Sequence, residues 1–198
     1  MNEKHRQRRA AFDREQGIAV AQALFHQHGF DAVSLSDLTA AMDIKPPSFY
    51  AAYGSKAELF ERALHRYAEE NSLPLDTLLA ADLPPAHALT SLLLAAAKQY
   101  ASDSTLRGCL ITEGMRADDP VARGMAEKLA AAGILRIRRY LDHVCPQDAQ
   151  ALADYVLITL RGLSSAACSG LSRKRIRDAA QIASNAICAT LERPNVEI

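Results

Sequence analysis

Four cysteines, at positions 109, 145, 168 and 188, and the histidines His26 and His28 are the side chains best suited to bind a metal or attack a substrate. Their spacing argues against both. No two cysteines form a CxxC pair and no histidine stands at zinc-ligand spacing from one, so a metal cluster is not expected. His26 and His28 lie two apart and diverge on a helix, and no Ser-His-Asp set or pair of carboxylates stands out. The thiol best placed for reactivity is Cys109, in the run RGCL at 107–110. A cysteine after glycine near a helix start, beside an arginine, gains thiolate character from the positive helix end. The competing role is a small buried hydrophobe at a helix junction, the commoner fate of an unpaired cysteine. Neither an enzyme nor a cofactor is expected.

A different chemistry is offered by the run DIKPPSFYAAY at 43–53. A segment that enters a DNA groove must be slim and present short side chains to base edges. Ala51 and Ala52 are small enough to meet thymine methyls. Lys45 and Ser48 can bond to bases or phosphates, and the Tyr50 hydroxyl can reach a phosphate oxygen. Phe49 is expected to face inward. Pro46 and Pro47 remove two backbone donors that might have gripped phosphate at the helix start, which leaves anchoring to side chains such as Ser34, Tyr50 and Lys56. Ser36 and Tyr53 complete the expected contact set, and Lys4, Arg6, Arg8, Arg9 and Arg14 form a basic arm.

These residues need helices to position them. Apolar residues recur at helical spacing and no strand alternation or hairpin signal interrupts them, so the fold class expected is all-α, with about nine helices. Over 14–28, Ile18, Ala21, Leu24 and Phe25 share one face, and Gly29 follows where a helix end favours positive φ. Ser34 to Asp37 has the form of a capping box and starts a helix of little more than two turns. Asp43 and Ile44 make the tight turn, and the two prolines open the next helix, since their fixed φ suits a first turn. From 46 to 53 that helix is about 12 Å long. Ser55 and Glu58 form a second capping box ahead of a long helix. Helix, short helix, tight turn, short helix is the arrangement that sets a second helix in the major groove. A helical hairpin buried in a larger bundle, with Tyr50 and Tyr53 as core aromatics, is the alternative that the pattern alone leaves open.

Charge does not choose between these alternatives. The chain has 23 basic and 23 acidic side chains, without the bulk positive charge of a strongly basic nucleic-acid binder. Residues 1–56 carry seven basic groups against six acidic ones, and the excess sits in the first residues.

The residues Leu24, Phe25, Gly29, Phe30, Ser34, Leu35, Asp37, Leu38, Ala41, Ile44, Ser48, Phe49, Tyr50, Tyr53, Ser55, Lys56, Leu59 and Phe60 resemble the N-terminal domain of the TetR family of bacterial transcriptional repressors. The resemblance covers about residues 14 to 60. It implies a homodimer with an N-terminal three-helix domain that binds operator DNA and a larger helical domain that binds a small-molecule inducer. By the same resemblance Tyr50 and Lys56 match phosphate-contacting residues. The domains expected are a basic arm at 1–13, the helix-turn-helix domain at 14–55, a ligand-binding and dimerisation domain at 56–192, and a tail at 193–198. Some residues depart from the family. Asp43 stands where glycine is usual, at a cost of about 1 kcal/mol. Pro46-Pro47 replaces Lys-Gly, and Ala51-Ala52 replaces histidines, so the operator does not carry over. Gly17 replaces an apolar residue and is expected to fray the first helix at its start.

Beyond residue 60 the helical pattern carries more of the reading. Leu152, Tyr155, Thr159, Leu163 and Ala167 fall on one helix face, and Ile176, Ala180, Ala183 and Ile187 on another. In a monomer these are core helices; the resemblance implies that they pair with their mates as a four-helix dimer interface, as two-fold operator half-sites require. A ligand pocket is expected among the helices of residues 60–142, with Tyr67, Tyr100, Cys109, Glu113 and Met115 as its mixed lining. The basic runs at 136–139 and 173–177 lack interleaved aromatics and read as solvated faces or inter-subunit ion pairs. No signal peptide or membrane span is expected, and the location expected is the cytoplasm. The competing functions are a non-catalytic helical adaptor and a small helical enzyme.

Overall fold

The structure, a computed structural model, describes residues 13–192. The basic arm except its last residue, and the tail at 193–198, lie outside the described residues. Ten helices and no strand are found among them: α1 Arg14–His28, α2 Leu35–Ala41, α3 Pro46–Tyr53, α4 Lys56–Asn71, α5 Leu75–Leu78, α6 Pro85–Tyr100, α7 Leu110–Gly114, α8 Pro120–Val144, α9 Ala149–Cys168 and α10 Arg173–Leu191. The count exceeds the nine expected because α5 and α7 are one-turn helices whose four and five residues give no amphipathic period to read.

The first three helices begin and end where local chemistry dictates. The Asp13 carboxylate accepts the N–H groups of Glu15 and Gln16, and Gly29 closes α1 at φ 81°. Gly17 does not fray this start, because it is buried in a helix already capped by Asp13, four residues earlier. In α2 the Ser34 hydroxyl accepts the Asp37 N–H while the Asp37 carboxylate accepts the Ser34 N–H, a complete capping box. Asp43 sits at φ 50°, the one non-glycine residue in the left-handed region among those described. Pro46 and Pro47 occupy the first positions of α3, and Gly54 ends it at φ 79°. The Ser55 hydroxyl then caps α4 through the Glu58 N–H.

Two hydrophobic clusters organise the described residues, and they do not divide at 55/56. Phe25, Phe30, Phe49, Tyr53, Phe60 and Leu64 belong to one cluster, which joins α1–α3 to α4, α7 and the start of α8. Leu92, Leu93, Leu141, Val156, Ile176 and Ile187 belong to the other, built from α6, the end of α8, α9 and α10. The N-terminal head formed by α1–α3 therefore shares its core with α4, whose later turns at Tyr67 reach the second part of the molecule. Helix α9 is long and apolar enough to cross a membrane by length and composition, but its apolar face supplies Leu152, Val156 and Leu163 to the second cluster.

Candidate nucleic-acid interface and ligand pocket

Helix α3 has one buried and one exposed face. Phe49 and Tyr53 are fully buried and Ala52 is 8 % exposed, whereas Lys45, Ser48 and Ala51 are exposed and Tyr50 is 55 % exposed. This corrects two expected DNA contacts. Ala52 follows Phe49 at three residues and so shares its inward face, and the Tyr53 hydroxyl donates to the Arg14 carbonyl at 2.9 Å, tying α3 to the start of α1. The surface left by α3 is Lys45, Ser48, Tyr50 and Ala51. Ser34 and Ser36 are exposed beside it, but the Ser34 hydroxyl already donates to Asp37 at 2.6 Å and accepts its N–H at 3.1 Å. Its first role is thus the cap of α2. The Ser34 hydroxyl, and after it the Ser34 N–H, both donating to the Asp37 carboxylate, hold that carboxyl below the usual aspartate range.

Lys56 stands at the start of α4 with its Nζ 4.1 Å from the Phe30 ring centroid. Burial lowers the pKa of this ammonium, and Asp31, Asp119 and Asp37 act in the opposite sense. A cation held over an aromatic face has a restricted position, which suits a single phosphate contact. Arg62, which sequence reasoning missed, donates from Nη1 to the Ala52 carbonyl at 3.2 Å and lies over the Tyr53 ring. It couples the end of α3 to α4. No sequence motif announces it, because the partner is a main-chain carbonyl.

A cavity of about 300 Å³ opens between α4, α6, α7, α8 and α9. Tyr67, Tyr100, Cys109 and Met115 line it as expected. Glu113 does not. From α7 and its C-cap the cavity takes Ile111, Thr112 and Met115, and the intervening Glu113 turns toward α9, where it lies beside the Cys168 thiol and 3.7 Å from Arg116. Burial pushes both phenols far above the ordinary tyrosine range, and the Cys109 sulfur adds to this. Tyr67 and Tyr100 are thus neutral groups with a hydroxyl to donate. Burial, with Glu113 next, raises the Cys168 thiol to about 11, so it is a poor nucleophile.

The segment 107–109 joins these parts. Cys109 is the N-cap of α7, but the arginine beside it in sequence is turned away. The Arg107 Nε donates to the Ala167 carbonyl at 2.7 Å, and its Nη2 to that of Leu171, capping the end of α9. The guanidinium is therefore engaged with the end of α9. Gly108 has φ 78°, and a Cβ there would lie 2.4 Å from the Cys168 sulfur. The Cys109 N–H donates to Ser164 Oγ at 3.0 Å. From the other side, His26 of α1 donates from Nε2 to the Arg107 carbonyl at 3.1 Å and sets its ring edge-on to Tyr67 at 5.3 Å. Burial lowers the pKa of this imidazole. His26 thus touches a wall residue of the cavity from within the reading head, a role hidden in sequence by the 81 residues that separate it from Arg107.

The expected dimer residues also need correction. Leu152, Leu163, Ala167, Ile176, Ala180, Ala183 and Ile187 are buried within the single chain, most of them under α6. Thr159 is half-buried, and of the nine only Tyr155 is exposed. The apolar side chains that α9 and α10 leave uncovered are instead Ile158, 68 % exposed, and Ile182, 70 % exposed. Exposed Ala151, Gly162, Ala179 and Ala186 share those faces.

Comparison with known proteins accords with this arrangement. Residues 18–63 match the family described as bacterial regulatory proteins, tetR family. The HTH-type transcriptional repressor BdcR of Escherichia coli K12 is 40 % identical over 181 residues, 91 % of this chain and 92 % of its own length. ComR, also an HTH-type transcriptional repressor of Escherichia coli K12, is 27 % identical over 184 residues, 87 % of this chain and 88 % of its own. A cysteine mutant of the regulator CifR, solved with 26bp double-strand operator DNA, superimposes with a TM-score of 0.79 at 29 % identity, covering 90 % of this chain and 99 % of that one. A helix-turn-helix head with one solvent-facing side on α3, continuous with a helical body that encloses a cavity, and whole-length likeness to such repressors together mean that this chain belongs to the TetR family of bacterial transcriptional regulators.

Proposed function

We propose that the protein acts in the cytoplasm as a homodimeric repressor that leaves its operator when a small molecule enters the cavity. The observation that carries this reading is the division of α3 into a buried face, Phe49, Ala52 and Tyr53, and an exposed face, Lys45, Ser48, Tyr50 and Ala51. A short helix anchored on one side and offering one methyl and three polar groups on the other suits the major groove. Tyr50 and Lys56 flank that face as phosphate anchors, with Ser36 beside them. Two heads are needed for two half-sites, and the uncovered stripe of Tyr155, Ile158 and Ile182, bordered by small residues, is the proposed mate-facing surface.

Release would follow a population shift. A ligand pressing on Tyr67 works at the end of α4, which holds α3 through Arg62, and against His26 of α1. Moving α4 changes the spacing of the two heads, and a few kcal/mol of differential affinity is enough to empty the operator. The test is retardation of DNA from the region upstream of the gene at moderate salt. The wild-type protein retards it, and Tyr50→Phe combined with Lys56→Ala abolishes the shift while circular dichroism stays unchanged. Full retardation by the double variant would remove α3 and the start of α4 from the interface.

A further inference from the structure

The charge pattern of the cavity names a ligand class. Among the described residues no aspartate or glutamate lines it, and its only charged side chains are Arg136 and Arg161. Arg136 is committed, since its guanidinium pairs with Asp76 of α5. Arg161, an exposed residue of α9 at the cavity rim, has among the described residues a single hydrogen bond, to the Met115 sulfur at 3.8 Å, and a thioether is a weak acceptor. An arginine at a cavity wall with five donors and no carboxylate is an open fork for a planar anion. The remaining walls combine apolar groups such as Leu92, Ile111, Leu129 and Leu160 with uncharged polar ones, the phenols of Tyr67 and Tyr100 and the side chains of Asn71, Gln99 and Thr112.

The geometry points to a small organic monoanion as the ligand, an apolar body ending in a carboxylate that pairs with Arg161. The volume of about 300 Å³ holds roughly ten groups of water size. That fits a short aryl or alkyl acid. A cation is disfavoured, because no carboxylate among the described lining residues meets it and the Arg161 guanidinium opposes it. This inference rests on the proposed reading of the cavity as the ligand site.

The test uses the full-length protein and three compounds of one shape, 4-phenylbutyrate, its amide and 4-phenylbutylamine, titrated calorimetrically. The acid is expected to bind at least tenfold more tightly than the amide, with no binding of the amine. Arg161→Gln should bring the acid to the level of the amide and leave the amide unchanged, while Arg136→Gln preserves the order. Equal or tighter binding of the amide or the amine, an acid preference that survives in Arg161→Gln, or no binding of any of the three would overturn the inference. Retardation of the upstream DNA, measured on the same samples, separates this from the broader reading. Arg161-dependent binding of the acid with no loss of retardation supports the ligand class while refuting release by ligand. DNA release by the neutral or cationic compound, bound without the acid preference, refutes the class and leaves release standing.

Discussion

The reading head and the helical body are built from similar residues but declare themselves differently. In the head each helix begins with a side-chain cap or a proline and ends at a turn of defined backbone geometry, and α3 is short enough for its two faces to part cleanly. In the body α6, α8, α9 and α10 are long and alanine-rich, and α9 and α10 have apolar or small residues on more than one face. The difference teaches that an amphipathic pattern identifies the stickiest face of a helix but not what covers it. In α10 that face, Ile176, Ala180, Ala183 and Ile187, meets α6 of the same chain, and the face left for a mate is the less obvious one around Ile182.

The sharpest way to break this contrast is to remove a buried residue from each side. Phe49→Ala in the head should cost about 3–5 kcal/mol and lower the thermal midpoint together with DNA binding. Ile187→Ala in the body should cost about 2–5 kcal/mol and, although expected in sequence to lie at the dimer interface, should lower the stability of the monomer itself. Ile182→Asp should do the reverse, converting the dimer to a folded monomer in sedimentation without loss of helicity. An intact dimer in Ile182→Asp would return the interface to another face.

A smaller effect is expected at the joint between head and body. Gly108→Ala introduces a Cβ at positive φ, at about 1 kcal/mol or more, and also displaces the Cys168 sulfur. Adding Cys168→Ala should recover the second part of that loss and not the first. If Gly108→Ala melts like the wild type, the segment 107–109 is not the tight crossing described.

The smallest is a pH effect at His26. Burial lowers its pKa, against the opposing pull of the Arg107 and Gly108 backbone and of Asp103. The unfolded chain therefore binds the proton more readily than the folded one, so the His26 contribution to stability is complete above the ordinary imidazole value and is lost as pH falls below it. His26→Gln should flatten that part of the stability curve. A curve as steep as the wild type's would mean that His26 does not govern it.

Much of the head was legible in the sequence because its signals are local. The α1 bounds at 14 and 28, the α3 bounds at 46 and 53, the left-handed Asp43 and the inward Phe49 follow from caps, prolines and glycines within a few residues of the positions they control. The inward turn of Ala52 and Tyr53 was not legible, because the eight residues of α3 include apolar groups on both faces. The pocket was half legible. Tyr67, Tyr100, Cys109 and Met115 line it, but Glu113 faces away because a five-residue helix gives no period from which to choose its side. Arg62, His26 and Arg107 stayed hidden because each bonds a backbone carbonyl, which every residue has and no motif marks.

The central claim is that the exposed side of α3 meets DNA, and Ala51→Asp tests it most directly, since it adds a negative charge to that side without touching the core. The account predicts at least a hundredfold loss of affinity for the upstream DNA at moderate salt, with an unchanged thermal midpoint and an unchanged dimer. Affinity within a factor of two of the wild type, in a protein equally well folded, would contradict it.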